Sequence, residues 1–151
     1  MPADAAELTA VARSAKAHWG YSADWLAAWS ADLTLTPEYI AAHQVLAAER
    51  DGRLVGVCAL EDHQTHWALE HVWVLPSEHG QGIGRELVRR SLALAAARRS
   101  GTVQVVSDPN ASAFYERLGA SRTGAVDAPM PGAADRTLPL YEFRVMAGAE
   151  E

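Results

Sequence analysis

Between His71 and Leu87 the chain runs HVWVLPSEHGQGIGREL, and this stretch restricts the fold more than any other. Val72 and Val74 alternate with His71 and Trp73 at the period of a strand, and Pro76 ends it because proline has no N–H for a sheet ladder. Gly80, Gly82 and Gly84 then mark a turn that leads into ELVRRSLALAAARR, a strongly helical segment. The first amides of a helix have no internal acceptor, so a turn of this kind is a cradle for an anion such as phosphate. Spacing excludes two other phosphate-binding turns. A P-loop needs Lys-Ser/Thr straight after its last glycine, where Arg85-Glu86 stand, and a dinucleotide fingerprint needs a third glycine where Arg85 stands.

The stretch resembles motif A of the GCN5-related N-acetyltransferase (GNAT) family, Arg/Gln-x-x-Gly-x-Gly/Ala behind a Val-x-Pro strand end. Here it stands as His79-Gly80-Gln81-Gly82-Ile83-Gly84 behind Val74-Leu75-Pro76, with His79 at the usual Arg/Gln position. The resemblance implies that main-chain amides of Gly80, Gln81, Gly82, Ile83 and Gly84 hold the pyrophosphate of coenzyme A. It also carries a binding role there to His79, in place of the motif's cation, and the acetyl group to the strand end Val72, Trp73 and Val74; Arg85 lies close enough to the turn to add charge near the phosphates. Acetyl-coenzyme A is thus the expected cosubstrate, with no metal.

Downstream, Thr102–Val106 reads as a short buried strand, parallel to the first because a helix connects them. Asp108-Pro109-Asn110 breaks it, and Ala111–Leu118 is the next helix, stopped by Gly119. The segment resembles motif B of the same family, Asn-x-x-Ala-x-x-Phe-Tyr-x-x-x-Gly-Phe. Asn110, Ala113, Phe114, Tyr115, Leu118 and Gly119 keep its gist with a shorter spacing. Read alone, Asn110 is a helix N-cap and Tyr115 a core residue whose hydroxyl needs a partner. The resemblance implies that Asn110 bonds the coenzyme arm and that Tyr115 protonates the departing thiolate as general acid.

An amine acceptor with a pKa of about 10 arrives as an ammonium and must lose a proton before it attacks. Strand alternation puts Glu70 on the face of Val72 and Val74. The resemblance implies a glutamate base at this place, with His71 or water as rivals to Glu70.

Ahead of the cradle, residues 5–17 read as a helix with Asp4 at its cap, and Gly20 stops it. A second helix starts near Ser22, and a short third follows Thr36-Pro37. The aromatic link and second helix supply Trp19, Tyr21, Trp25 and Trp29, which packing alone explains; the resemblance places them on the acceptor side of the cleft. Asp51-Gly52 between two period-two runs predicts a hairpin, and a third strand from His66 to Leu75 completes an antiparallel meander. Asp62, His63 and His66 between the last two strands read as a polar loop, since they lack metal-ligand spacing.

After Gly119, Ser121–Val126 and Leu138–Val145 read as two late strands, joined by the loop DAPMPGAADR, which is long enough to reach the acceptor cleft. MAGAEE reads as a frayed end. The expected fold is α/β: a GNAT-like mixed central sheet, antiparallel meander plus a parallel pair, flanked by helices. The strand that usually opens the family is a stub of Met1-Pro2-Ala3 or missing.

At 151 residues the chain is the size of a single domain, expected over residues 1–151. A net charge of −6 argues against a nucleic-acid-coating surface, and no apolar run is long enough to span a membrane. The amino end lacks the basic-then-apolar layout of a signal peptide, and the single cysteine, Cys58, forms no internal disulfide, so a cytoplasmic protein is expected. Cys58 in LVGVCAL reads as a buried strand residue rather than a nucleophile. The expected function is direct acetyl transfer to a primary amine in a ternary complex. The alternative is a non-catalytic acyl-coenzyme A binding or sensing module, and a homodimer is left open.

Overall fold

Apolar residues spaced three and four apart make α1 (Ala5–Ala17) amphipathic, and it buries Leu8, Val11, Ala12 and Ala15. A 3-10 turn at Pro2–Asp4 precedes it, so Met1-Pro2-Ala3 is no strand stub, and the described residues contain no strand ahead of α1. Asp4 makes no side-chain cap; its carboxylate lies 3.3 Å from the N-terminal amine instead. The next two helices are capped as expected. Ser22 accepts from Trp25 N at the start of α2 (Ala23–Ala28), and Thr36 accepts from Tyr39 N at the start of α3 (Pro37–Ala42).

The structure is a computed structural model that describes residues 1–147. It forms two compact units, one of Met1–Glu61 with His71–Ser91 and one of Asp62–Glu70 with the residues from Leu92 onward. In the first unit, Leu8, Val11 and Ala12 of α1 pack with Leu33, Leu35, Ile40 and Val57 as one core. Burying each large aliphatic side chain contributes about 1.5–3 kcal/mol. Thr9 fastens the connection to this core, accepting from Leu35 N at 3.0 Å and donating to Leu35 O at 3.3 Å. β1 (Gln44–Arg50) pairs antiparallel with β2 (Arg53–Asp62). The hairpin turns through Asp51 (φ 53°) and Gly52 (φ 78°), the positive pair that a tight hairpin matched to strand twist requires.

β3 (Trp67–Val74) and α4 (Ile83–Arg98) each run from one unit into the other. In the second unit β3 pairs parallel with β4 (Gly101–Val106), Trp67 opposite Val103 and Leu69 opposite Val105. Gly101 opens this strand, three residues beyond the end of α4 at Arg98. β4 pairs antiparallel with β6 (Thr137–Val145), which pairs antiparallel with β5 (Ser121–Asp127). The six-stranded mixed sheet has the order β1-β2-β3-β4-β6-β5.

The loop between β5 and β6 doubles back on itself. Met130 and Ala133 exchange two backbone hydrogen bonds around Gly132, whose φ is 78°. Of the predicted frayed end, Ala147 N donates to Ser100 Oγ at 2.7 Å, and residues 148–151 lie outside the described residues. Among the described residues, no helix is long and apolar enough to cross a membrane.

Candidate active site

The turn ahead of α4 is built from the strand end outward. Leu75 N donates to Val55 O at 2.9 Å, which ties the end of β3 to β2, and Pro76 opens a 3-10 turn over Pro76–Glu78. Gly80 and Gly82 follow with φ of 81° and 79°, the left-handed region where a side chain costs about 1–2 kcal/mol. A Cβ built at either residue meets nothing within 4 Å. Glycine is therefore demanded by the backbone, and the space over the turn is open. Gly82 O accepts the bond from Glu86 N at 3.0 Å, so the amides of Ile83, Gly84 and Arg85 precede the first closed ring of α4. Donors without an intrahelical acceptor beside an open space suit a diphosphate.

The helix start is seated from below by Gly56. A Cβ there would lie 3.1 Å from both Ile83 Cγ2 and Leu87 Cδ1, so any larger residue would make both side chains give way by a few tenths of an ångström. His79 is turned back rather than outward, its Nε2 donating to Val74 O at 3.2 Å while its ring meets His18 (5.1 Å) and Trp19 (6.5 Å). Arg50, at the end of β1, comes to the turn from a distant part of the sequence. Its guanidinium donates to Gln81 Oε1 and lies 3.1 Å from Glu78 Oε1. No motif marked this arginine, and only the Asp51-Gly52 hairpin beside it hinted at its place.

Three of the four aromatic candidates gather. Tyr21, Trp25 and Trp29 have ring centroids 4.9–5.8 Å apart. Lys16 joins them, its ammonium 4.2 Å from the Trp29 ring centre, 5.0 Å from that of Tyr21 and 5.9 Å from that of Trp73. Aromatic faces attract such a cation, and they account for a lysine that is only 9% exposed. Trp19 stands apart from this cluster, with His18 and His79.

His71 is buried, and Trp73 Nε1 donates to its Nδ1 at 3.1 Å. Burial holds its pKa below the ordinary value, outweighing the pull of Glu61 and Asp32. The ring is therefore neutral with its proton on Nε2, and its lone pair is already engaged. Tyr39 lies edge-on at 5.4 Å and donates to Glu61 Oε2 at 2.5 Å.

In the second unit, Glu70 is exposed on β3. Asn110 does not cap α5 (Ser112–Arg117), because a 3-10 turn over Pro109–Ala111 intervenes and Ala111 takes the cap position. Asp108 is the cap of that turn, its Oδ1 accepting at 2.8 Å from both the backbone N and Nδ2 of Asn110. Tyr115 is 5% exposed, its ring 5.0 Å from Phe114 and 6.3 Å from Tyr141. Asp62 is committed to Arg99 (2.8 Å) and to Gln64 N (2.8 Å), which together hold its carboxyl down at about 2. Cys58 is fully buried, and that burial pushes its thiol up to about 12 against the bond it accepts from Ser91 Oγ at 3.2 Å. Such a thiol is no nucleophile at neutral pH.

The fold and the turn together define a class. The family model for the acetyltransferase (GNAT) family matches residues 11–120, so the chain belongs to that family. Solved structures share the fold. A GCN5-related N-acetyltransferase from Rhodopseudomonas palustris is 23% identical, with 96% of this chain and 92% of that one covered and a TM-score of 0.77. The PaiA N-acetyltransferase of Thermoplasma acidophilum, in complex with coenzyme A, is 17% identical over 94% and 93% of the two chains, with a TM-score of 0.73. YncA of Salmonella typhimurium, a putative acetyltransferase with its cofactor acetyl-CoA, is 20% identical over 100% and 94%, with a TM-score of 0.69. No curated protein sequence matches the chain significantly.

Proposed function

We propose that the protein moves the acetyl group of acetyl-coenzyme A to a primary amine by direct attack, acting as a single acetyltransferase domain. The observation that carries this reading is the open turn at Gly80 and Gly82 ahead of α4, in a chain that matches the family over residues 11–120. The amides from Gly80 to Gly84 hold the pyrophosphate, and the main chain at Val72–Val74 receives the acetyl carbonyl. Asn110 bonds the coenzyme arm. Tyr21, Trp25 and Trp29, with Trp19 beside His79, form the acceptor wall.

In the reaction Glu70, directly or through water, takes a proton from the acceptor ammonium. The nitrogen lone pair then attacks the thioester carbonyl carbon, forming the C–N bond while strand-end amides stabilise the oxyanion. Collapse breaks the C–S bond, Tyr115 protonates the leaving thiolate, and the amide nitrogen releases its remaining extra proton to water. The engaged lone pair of His71 supports Glu70 over His71 as the base. The lone thiol, free and buried, supports a reducing, cytoplasmic setting.

The test is turnover with a mixed panel of amines, read by mass spectrometry for acetylated product and by free thiol for released coenzyme. Acetylated amine with equal thiol release is expected. Tight binding of acetyl-coenzyme A without product from any amine would mark a binding or sensing module instead.

A further inference from the structure

We propose that Arg50 is the cation of the coenzyme's phosphate site, an assignment that rests on the acetyltransferase reading above. Where the motif carries Arg or Gln, this chain carries His79, and His79 spends its Nε2 proton on Val74 O while its ring packs on His18 and Trp19. The turn would then face an anion with a carboxylate in its midst. Glu78 sits two residues before Gly80 with its side chain 14% exposed. Left alone, that carboxylate would repel a diphosphate at close range. Arg50 answers both deficits.

Its guanidinium touches the turn at two points, the Gln81 side chain and Glu78 Oε1, and the side chain stays 49% exposed. The approach to Glu78 at 3.1 Å lacks hydrogen-bond alignment, so the pair is held by charge rather than by a directed bond. A guanidinium carries five N–H donors in a planar fork that matches phosphate oxygens. Its contacts to Glu78 and Gln81 place the half-exposed guanidinium on the turn itself, within the few residues that lead into the first amides of α4. A β1 residue thus supplies the cation that the turn's own sequence does not. The placement is fixed by the Asp51-Gly52 hairpin, because Arg50 is the last residue of β1 and pairs with Arg53 across it.

The experiment compares the affinities of the full chain and its Arg50→Met and Arg50→Lys variants for two donors. One donor is acetyl-coenzyme A; the other is S-acetyl-pantetheine, which has the same thioester and arm but no phosphate. Arg50→Met is expected to weaken acetyl-coenzyme A by about ten- to a hundredfold, the size of a charge-assisted contact, with S-acetyl-pantetheine unchanged and part of the loss restored by lysine. Equal affinity of wild type and Arg50→Met for acetyl-coenzyme A would overturn the assignment, as would an equal loss for both donors. Wild type that binds neither donor would overturn the acetyltransferase reading and this assignment with it.

Discussion

Trp73 donates its indole N–H to His71 Nδ1 at 3.1 Å, and this one bond fixes the tautomer of a buried imidazole on the central strand. Burial lowers the pKa of that ring, so the folded chain takes up this proton less readily than the unfolded chain. The sign follows directly. As pH falls below the ordinary value of 6.5, the unfolded state binds the proton first and stability declines, by at most about 1.4 kcal/mol per pH unit, until the folded pKa is passed. Melting temperature followed from pH 7.5 downward is expected to fall more steeply for wild type than for His71→Gln. Parallel curves would contradict the placement of His71.

If Glu70 takes the acceptor's proton, Glu70→Gln should lower kcat/KM by about 10²–10⁴-fold and flatten the acidic limb of its pH profile. His71→Gln should lose less and keep that limb. Tyr115→Phe should cost a similar factor in kcat with little change in acetyl-coenzyme A affinity. Undiminished turnover by Tyr115→Phe would remove it from proton transfer.

Gly56 is buried under α4, and two side-chain carbons stand 3.1 Å from where its Cβ would be. Gly56→Val should overpack that contact, cost about 1–3 kcal/mol, and push Ile83 and Leu87 outward. Because Ile83 begins the helix that follows the turn, the same variant should weaken acetyl-coenzyme A binding more than it lowers the melting temperature of the apo protein would explain. Chemical denaturation and titration on one sample would separate the two effects.

The Cys58 thiol, with its pKa pushed up to about 12, should not react with a thiol reagent in the folded chain and should titrate fully in denaturant. Cys58→Ala should retain turnover at a stability cost of about 1 kcal/mol for the small void it leaves. Rapid modification of native protein with loss of activity would reverse this reading.

Most of the fold could be read from local chemistry. Ser22, Thr36 and the Asp51-Gly52 pair each settle their own backbone within a few residues, and each stands where its residue type predicts. The failures share a different cause. Asp4 and Asn110 have capping chemistry, but Asp4 turns to the N-terminal amine and Asn110 donates to Asp108, so a nearby competitor decided each case. At the site, the glycine turn was visible because its demands are local. Arg50 and Lys16 were not, because each gains its meaning from partners far along the chain: Gln81 for the one, Trp29 and Trp73 for the other. His79 was legible as a departure from the motif, whereas its bond to Val74 O depended on the shape of the turn.

The central claim is that the turn at Gly80 and Gly82 holds the coenzyme, and calorimetric titration with acetyl-coenzyme A tests it most directly. Wild type should bind with one site per chain. Gly82→Val, whose side chain would enter the open space above the turn, should lose at least about tenfold in affinity, checked on protein that still melts cooperatively. Unchanged affinity in a folded Gly82→Val variant would contradict the account.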